Sequence, residues 1–288
     1  MKRNNLAQFC SRKFRNISTL SWVARATRLC IEIAINYLDT SFRLETINDL
    51  KRWISMMLLR TTLIFLILIM LPALGQTDYL DGVAAFTRDD YQTALSEWRP
   101  LAESGQADAQ FNLGVLYDEG LGVKQDQAQA VQWYRRAAEQ GHAQAQYNLA
   151  VLYASGLGVA QDYAEAARWY RQAALQNLRE AQFNLGVLYE NGFGINQDYT
   201  EAAHWYRQAA EQGHIAAQNN LGVLYVNGQG VPQDLMVAYA WYEVAAAWGN
   251  TKARSNRDQL IRKLDPAQLK EGQRLADEYA KRYRPKSP

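Results

Sequence analysis

Residues 108–143 read DAQFNLGVLYDEGLGVKQDQAQAVQWYRRAAEQGHA, and close copies of this stretch follow at 144–179, 180–215 and 216–251. The glutamine in its third place recurs every 36 residues, as Gln110, Gln146, Gln182 and Gln218. Self-similarity at such a period indicates a solenoid, in which each unit buries its apolar face against its neighbours. The sequence therefore predicts an all-α fold, a right-handed α-solenoid of antiparallel helix pairs.

Each copy carries the signals for two helices joined by a tight turn. Apolar residues at helical spacing predict a first helix over 107–118, and Gly120 supplies the positive φ that ends it. Asp126 is a good N-cap for a second helix over 127–140, with Gln129 at the capping-box position. The same cap and box positions recur as Asp162 with Glu165, Asp198 with Glu201, and Asp234.

The residues shared by the copies also identify a known repeat. The motif runs from Ala109 to Asp126 and continues to the pair Trp133-Tyr134. It resembles the Sel-one-like repeat (SLR), a relative of the tetratricopeptide repeat (TPR), over about residues 108 to 253. The resemblance implies SLR/TPR-like repeats that serve as a scaffold for protein–protein interaction.

Atypical helices are expected at both ends of the solenoid, which we assign to residues 76–253. An incomplete copy comes first, with a short first helix over 79–86. Beyond the last full copy, residues 254–284 predict capping helices. Asp265-Pro266 marks the start of the final one, as N-cap and first-turn proline.

Residues 57–75 have the features of a secretory signal peptide. Arg60 gives a positive n-region, an apolar h-region follows, and a small-x-small pattern ends at Gly75. The stretch from Thr61 to Gly75 holds 15 residues, whereas a helix needs about 20 to cross a bilayer. We therefore expect cleavage after Gly75 and a periplasmic or secreted protein with no stable membrane span.

Two expectations about the amino-terminal region stay open. The alternative to cleavage is an inner-membrane anchor that holds the protein facing the periplasm. Residues 1–56 are basic and show no repeat, so we interpret them as a non-native or disordered extension. Translation would then start at Met56 or Met57.

Charge is distributed unevenly along the part that follows the signal. Residues 76–251 carry 9 basic and 20 acidic residues, which gives a net charge of −11. Residues 252–288 carry 11 basic and 5 acidic residues, which gives a net charge of +6. An acidic repeat array repels phosphates, so nucleic acid is excluded as a partner. Residues 76–288 also contain no cysteine, and neither a disulfide nor a thiol nucleophile is possible there.

No constellation of residues that would support catalysis is found. The chain has three histidines, His142, His204 and His214, and none has metal-ligand spacing with a second ligand. The few serines lie outside any nucleophile motif. We therefore predict a protein that is not an enzyme and binds no cofactor or metal.

Two other functions remain as alternatives. Some cysteine-rich secreted members of the SLR family are linked to peptidoglycan or β-lactam binding or hydrolysis, but this chain lacks their paired cysteines. A structural spacer without a dedicated ligand is the third possibility.

In the TPR class, the first helices line a concave groove, and the resemblance carries this expectation over to the present chain. The groove would hold a protein or an extended peptide. The candidate groove residues form an aromatic row (Phe111, Tyr147 and Phe183, with Asn219 in the last copy), an asparagine row (Asn112, Asn148, Asn184 and Asn220) and the acidic positions Asp118 and Glu190. An asparagine amide can both donate to and accept from a peptide backbone. The alternative for both rows is that they stabilise packing between repeats.

Overall fold

The computed structural model describes residues 78–283, and in that range it contains twelve α-helices and no β-strand. The prediction of an all-α solenoid built from 36-residue helix pairs is confirmed. The predictions made for 1–56 and for the signal peptide at 57–75 lie outside the described residues. None of the described helices is long and apolar enough to span a bilayer.

The helices form six consecutive pairs. In chain order they are residues 78–86 (α1), Tyr91–Glu103 (α2), Ala107–Glu119 (α3), Gln127–Glu139 (α4), Ala143–Ser155 (α5), Tyr163–Leu175 (α6), Arg179–Asn191 (α7), Tyr199–Glu211 (α8), Ile215–Asn227 (α9), Leu235–Ala247 (α10), Thr251–Ile261 (α11) and Pro266–Arg282 (α12). The four full copies are the pairs α3–α4, α5–α6, α7–α8 and α9–α10. Each first helix packs against its own second helix, and each second helix packs against the next first helix.

The two glycines of each loop have different roles. Gly120 ends α3 in the left-handed region, with φ of 72°, and its N–H donates to the carbonyl of Leu116. The second glycine permits the close approach of neighbouring repeats. A Cβ on Gly158 would lie 2.3 Å from the backbone of Gln127 in the preceding repeat. The loop spacing therefore follows from folding requirements alone.

The predicted aspartate caps are present, but the expected reciprocal capping boxes are not. Asp126 accepts from the N–H of Gln129 at 3.0 Å. The backbone N–H of Asp126 already donates to the carbonyl of Tyr117. The side chain of Gln129 therefore has no free N–H at the cap residue from which to accept a hydrogen bond. The described helices contain one reciprocal box, which Asp265 and Gln268 form at the start of α12.

The Trp-Tyr pair of each second helix packs in two directions. Trp133 lies in a core cluster with Trp98 of α2. Tyr134 lies in the next cluster, with Leu149 of α5. The tryptophan thus packs towards the preceding repeat and the tyrosine towards the following one. Successive residues of a helix point about 100° apart, so one ring faces each neighbour.

The carboxyl end of the array is covered by α11 and α12. Asn250 caps α11 by accepting from the N–H of Ala253. Helix α12 packs against α10, and the ring centroid of Trp241 lies 4.6 Å from that of Tyr279 and 5.4 Å from that of Tyr283. These aromatic contacts replace those that a further repeat would supply.

Candidate functional site

The residues predicted to line a groove lie on one side of the first helices. We call this side the first-helix face. It consists of the positions equivalent to 108, 111, 112, 115 and 118 on α3, α5, α7 and α9. Spacings of three and four residues place these positions on one stripe of a helix. On α3 the intervening positions other than Tyr117 are buried, whereas the stripe keeps part of its surface exposed.

The aromatic row of this face is half-buried between successive first helices. Phe111 stacks on His142, with ring centroids 4.6 Å apart. Phe183 stacks on His214 at 4.5 Å. Each ring of the row also contacts the tyrosine of its own second helix, at 5.8–5.9 Å, and for Tyr147 in the middle copy this contact with Tyr170 has no histidine stack beside it. The aromatic rings thus contribute to packing and remain partly exposed.

The two histidines stacked on this row also cap helices. The Nδ1 of His142 accepts from the N–H of Ala145 at 3.1 Å. Its Nε2 lies 3.5 Å from a carboxylate oxygen of Asp108. Burial lowers the pKa of His142, and the charge of Asp108 opposes this shift in part. His214 caps α9 in the same way, and burial lowers its pKa too.

The asparagine row already makes contacts within the protein. Asn112 donates to the hydroxyl of Tyr79 at 3.3 Å. Asn220 donates to the hydroxyl of Tyr206 at 3.2 Å. Both asparagines therefore contribute to packing, as the alternative for this row proposed. An amide also has a second donor and an acceptor, and the binding role remains a prediction.

Asn219, which takes the place of the aromatic residue in the last copy, is the least accessible member of the predicted site. Its exposed fraction is 7%. Its Oδ1 accepts from Asn256 of α11 at 3.0 Å, and its Nδ2 donates to Asn220 at 3.2 Å. The side chain thus joins the last repeat to the cap.

The two predicted carboxylates lie over buried tyrosine hydroxyls. Tyr134 donates to Asp118 at 3.4 Å, and Tyr206 donates to Glu190. Burial, with the nearby carboxylates, raises the pKa of both tyrosines. Burial also raises the pKa of Asp118. No Lys or Arg within residues 78–283 forms an ion pair with Asp118 or Glu190.

A set of paired glutamines was not predicted. Gln110 is buried at the start of α3, where its Nε2 donates to the carbonyl of Ala102 and its Oε1 accepts from Gln140 at the end of α4. The partners lie 30 residues apart, beyond the reach of helix-capping or turn patterns. The available signal was that glutamine recurs at positions 140, 176 and 212 and is replaced by Trp248 in the last copy.

These arrangements are suited to non-covalent binding. Over residues 78–283, no three His, Cys, Asp or Glu side chains are grouped so that they could hold a metal ion. The first-helix face offers aromatic edges, amides and carboxylates side by side. Such groups recognise extended polypeptide by packing, backbone hydrogen bonds and charge.

Comparison with known proteins agrees with this architecture. The family model described as Sel1 repeat matches residues 107–142, 143–178, 179–214 and 215–250. The solved structure of a Sel1 repeat protein from Oxalobacter formigenes is 33% identical, with a TM-score of 0.60, over 68% of this chain and 84% of that one.

A second structure is that of c5321, a protective antigen of uropathogenic Escherichia coli strains that displays an SLR fold. It is 33% identical over 67% of this chain and 49% of its own, with a TM-score of 0.47. No curated protein matches the chain at a significant level. The four matched repeats cover half of the sequence, and we conclude that the chain belongs to the Sel1 repeat family.

Proposed function

We propose that this protein is an exported, non-enzymatic scaffold that binds an extended segment of a partner protein on its first-helix face. Sel1 repeat solenoids typically serve as protein–protein interaction scaffolds. One observation carries the proposal further. The caps, loop glycines and Trp-Tyr pairs that recur between copies are engaged in folding contacts, whereas the first-helix face keeps partly exposed aromatic and polar groups and varies at the positions equivalent to 108, 111 and 118.

An extended segment is favoured by the chemistry of this face. The asparagines stand once per repeat, and each has hydrogen-bonding capacity left for a peptide backbone. Neighbouring aromatic edges and valines, such as Phe111 and Val115, offer shallow apolar contact. A ligand that runs across the first helices would meet one asparagine and one valine in each repeat.

The test of this assignment compares two pairs of substitutions in the full chain. Asn148→Ala with Asn184→Ala alters the first-helix face. Gln172→Ala with Gln208→Ala alters exposed positions on second helices and is the control. Lost capture of partner proteins with an unchanged melting temperature in the asparagine variant alone supports the proposal. A large loss of stability assigns the asparagines to packing, and unchanged capture contradicts their role in binding.

Export is supported by the signal features of residues 57–75. We expect the mature protein to begin at Gln76. N-terminal sequencing of protein isolated from the producing cells measures this directly. Abundant peptides from residues 1–50, or an intact apolar stretch in a membrane fraction, contradict this part of the proposal. Hydrolysis of a β-lactam or of muropeptides by purified 76–288 contradicts the non-enzymatic part.

A further inference from the structure

Charge on the first helices alternates with a period of two repeats. Helix α3 carries Asp108, Asp118 and Glu119, and helix α7 carries Glu180 and Glu190 with one cation, Arg179. Helices α5 and α9 contain no charged residue. Asp118 and Glu190 are therefore equivalent positions separated by 72 residues. Folding requires a period of one repeat, so it does not explain a period of two.

The aromatic contacts alternate in the same way. Phe111 on His142 and Phe183 on His214 form nearly identical stacks, with interplanar angles of 20° and 21°. The intervening copy has Tyr147 without a histidine, because Leu178 stands at the equivalent cap position. The first-helix face thus presents the same set of groups twice, once on α3 and once on α7.

Asp118 and Glu190 can each accept a further hydrogen bond. A carboxylate has about four lone-pair sites. The tyrosine hydroxyl takes one at each residue, and Gln127 takes a second at Asp118. Both side chains are partly buried, and no cation of the described chain balances them. The equivalent residues of the other copies, Ala154 and Val226, are uncharged. A cationic side chain is the group that complements a half-buried carboxylate with free lone pairs.

We propose, on the basis of the proposed function, that the bound segment is extended and cationic, with one Lys or Arg on Asp118 and a second on Glu190. Side chains of successive first helices meet, as the rings of Phe111 and His142 do at 4.6 Å, so the helix axes lie about 10 Å apart and the two carboxylates are separated by roughly 20 Å. An extended chain advances about 3.3 Å per residue. The two cationic residues of the partner are therefore about six positions apart, and the uncharged helix α5 contacts the residues between them.

The experiment measures binding of labelled peptides to the full chain by fluorescence anisotropy. The test peptide is a Gly/Ser-based chain with two arginines six positions apart. The comparison peptides have arginines three positions apart, a single arginine, or two glutamates. We expect the first peptide to bind about tenfold more tightly than the single-arginine peptide, and to weaken as salt rises. Equal affinity for both arginine spacings and for the single-arginine peptide overturns the proposal.

Two substitutions test whether Asp118 and Glu190 bind the arginines of the peptide. Asp118→Ala and Glu190→Val introduce the residues that other copies carry at these positions, so the fold tolerates both. Either change should reduce the affinity of the two-arginine peptide to that of the single-arginine peptide. Glu139→Ala and Glu211→Ala, at exposed ends of second helices, are the controls and should have no effect. Equal losses in all four variants overturn the proposal, since they show a response to net charge alone.

The two proposals fail in different ways. If partner capture depends on the first-helix face but the peptides show no preference for arginine spacing, the proposed scaffold function stands. In that case the proposal of a cationic ligand is wrong. Salt-sensitive self-association of the full chain would assign the face to the basic segment 252–288 of a second copy, and this too would overturn the proposal.

Discussion

The Nε2 of Gln140 donates to the Oε1 of buried Gln110 at 2.7 Å and so ties the end of a second helix to the start of its own first helix. The same bond joins Gln176 to Gln146 at 2.8 Å, and Gln212 to Gln182 at 2.7 Å. The last copy lacks this bond because Trp248 replaces the donor and is 47% exposed. The Oε1 of Gln218, a residue with 0% exposure, has no hydrogen-bond partner.

Trp248→Gln should therefore stabilise the protein. The new amide can donate to the orphaned oxygen of Gln218, and one buried hydrogen bond contributes about 0.5–1.5 kcal/mol. Urea denaturation gives the free energy of unfolding. Trp248→Ala is the control, because it removes the same exposed ring without supplying a donor. A glutamine variant no more stable than the alanine variant contradicts this role for the glutamine pairs.

Stability should depend on pH through His142 and His214. Protonation of Nδ1 removes the acceptor of each cap bond, and burial lowers the pKa of both residues. The histidine pKa in the unfolded chain is about 6.5, so the unfolded chain binds the proton more tightly than the folded protein does. The stability that the caps provide is therefore complete above pH about 6.5 and is lost as the pH falls through the lower folded-state pKa.

The chain itself suggests the control for this pH dependence, because one equivalent cap is an asparagine. Asn250 occupies the same cap position before α11 and accepts from the N–H of Ala253 at 2.9 Å. The double change His142→Asn and His214→Asn should keep the caps and remove their titration. Free energies of unfolding measured from pH 8 to pH 5 should fall less in this variant than in the wild type. An equal fall in both proteins shows that the caps do not titrate in this range.

Glycine and alanine should not be interchangeable at the position after the first buried leucine of a first helix, and exchanging them should destabilise the protein in either direction. A Cβ on Gly114 would lie 2.4 Å from the ring of Tyr134. Gly114→Ala should cost about 1–3 kcal/mol through overpacking. The second copy has Ala150 here, and its rings, Tyr147 and Tyr170, meet at 51° rather than the 33° found between Phe111 and Tyr134.

Ala150→Gly is the matched reverse change. It should cost about 1 kcal/mol, since glycine weakens a helix interior. Thermal unfolding of the two variants checks both expectations. A Gly114→Ala protein as stable as the wild type shows that the Tyr134 ring is free to adopt the geometry of the second copy.

A fourth test concerns the buried N–H of Trp169, which has no acceptor. Arg168 engages the carboxylate of Glu165 in the turn before it. In the next copy a histidine stands at the arginine position, and Trp205 donates to Glu201 at 3.1 Å. Arg168→His should free Glu165 to accept from Trp169.

The expected gain from this bond is about 1 kcal/mol, offset in part by the loss of an exposed ion pair worth at most about 1 kcal/mol. Unfolding of the variant should show a stability equal to or slightly above that of the wild type. A loss of more than about 1 kcal/mol means that the Arg168 side chain over the Trp169 ring matters more than the hydrogen bond.

Features that depend on neighbouring residues in the chain could be predicted from the sequence. Asn177 takes the place of the glycine that follows the other second helices and has φ of 67°, and the aspartate caps stand where their pattern placed them. Features that depend on how two helices meet could not. The backward packing of Trp133 and the pairing of Gln140 with Gln110 arise from tertiary contacts that no local pattern encodes. The contacts of the candidate groove residues were in the same way accessible only from the structure.

The most direct test of the central claim, that partners bind on the first-helix face, is photo-crosslinking in the producing cells. A photoreactive amino acid is placed at Gln144 or Val151 on this face and at Gln132 or Gln172 on the second helices. Mass spectrometry of the products identifies the partner and the crosslinked segment. We predict a defined partner segment joined to positions 144 and 151 and little product from positions 132 and 172. Equal or greater yields from the second-helix positions would contradict the claim.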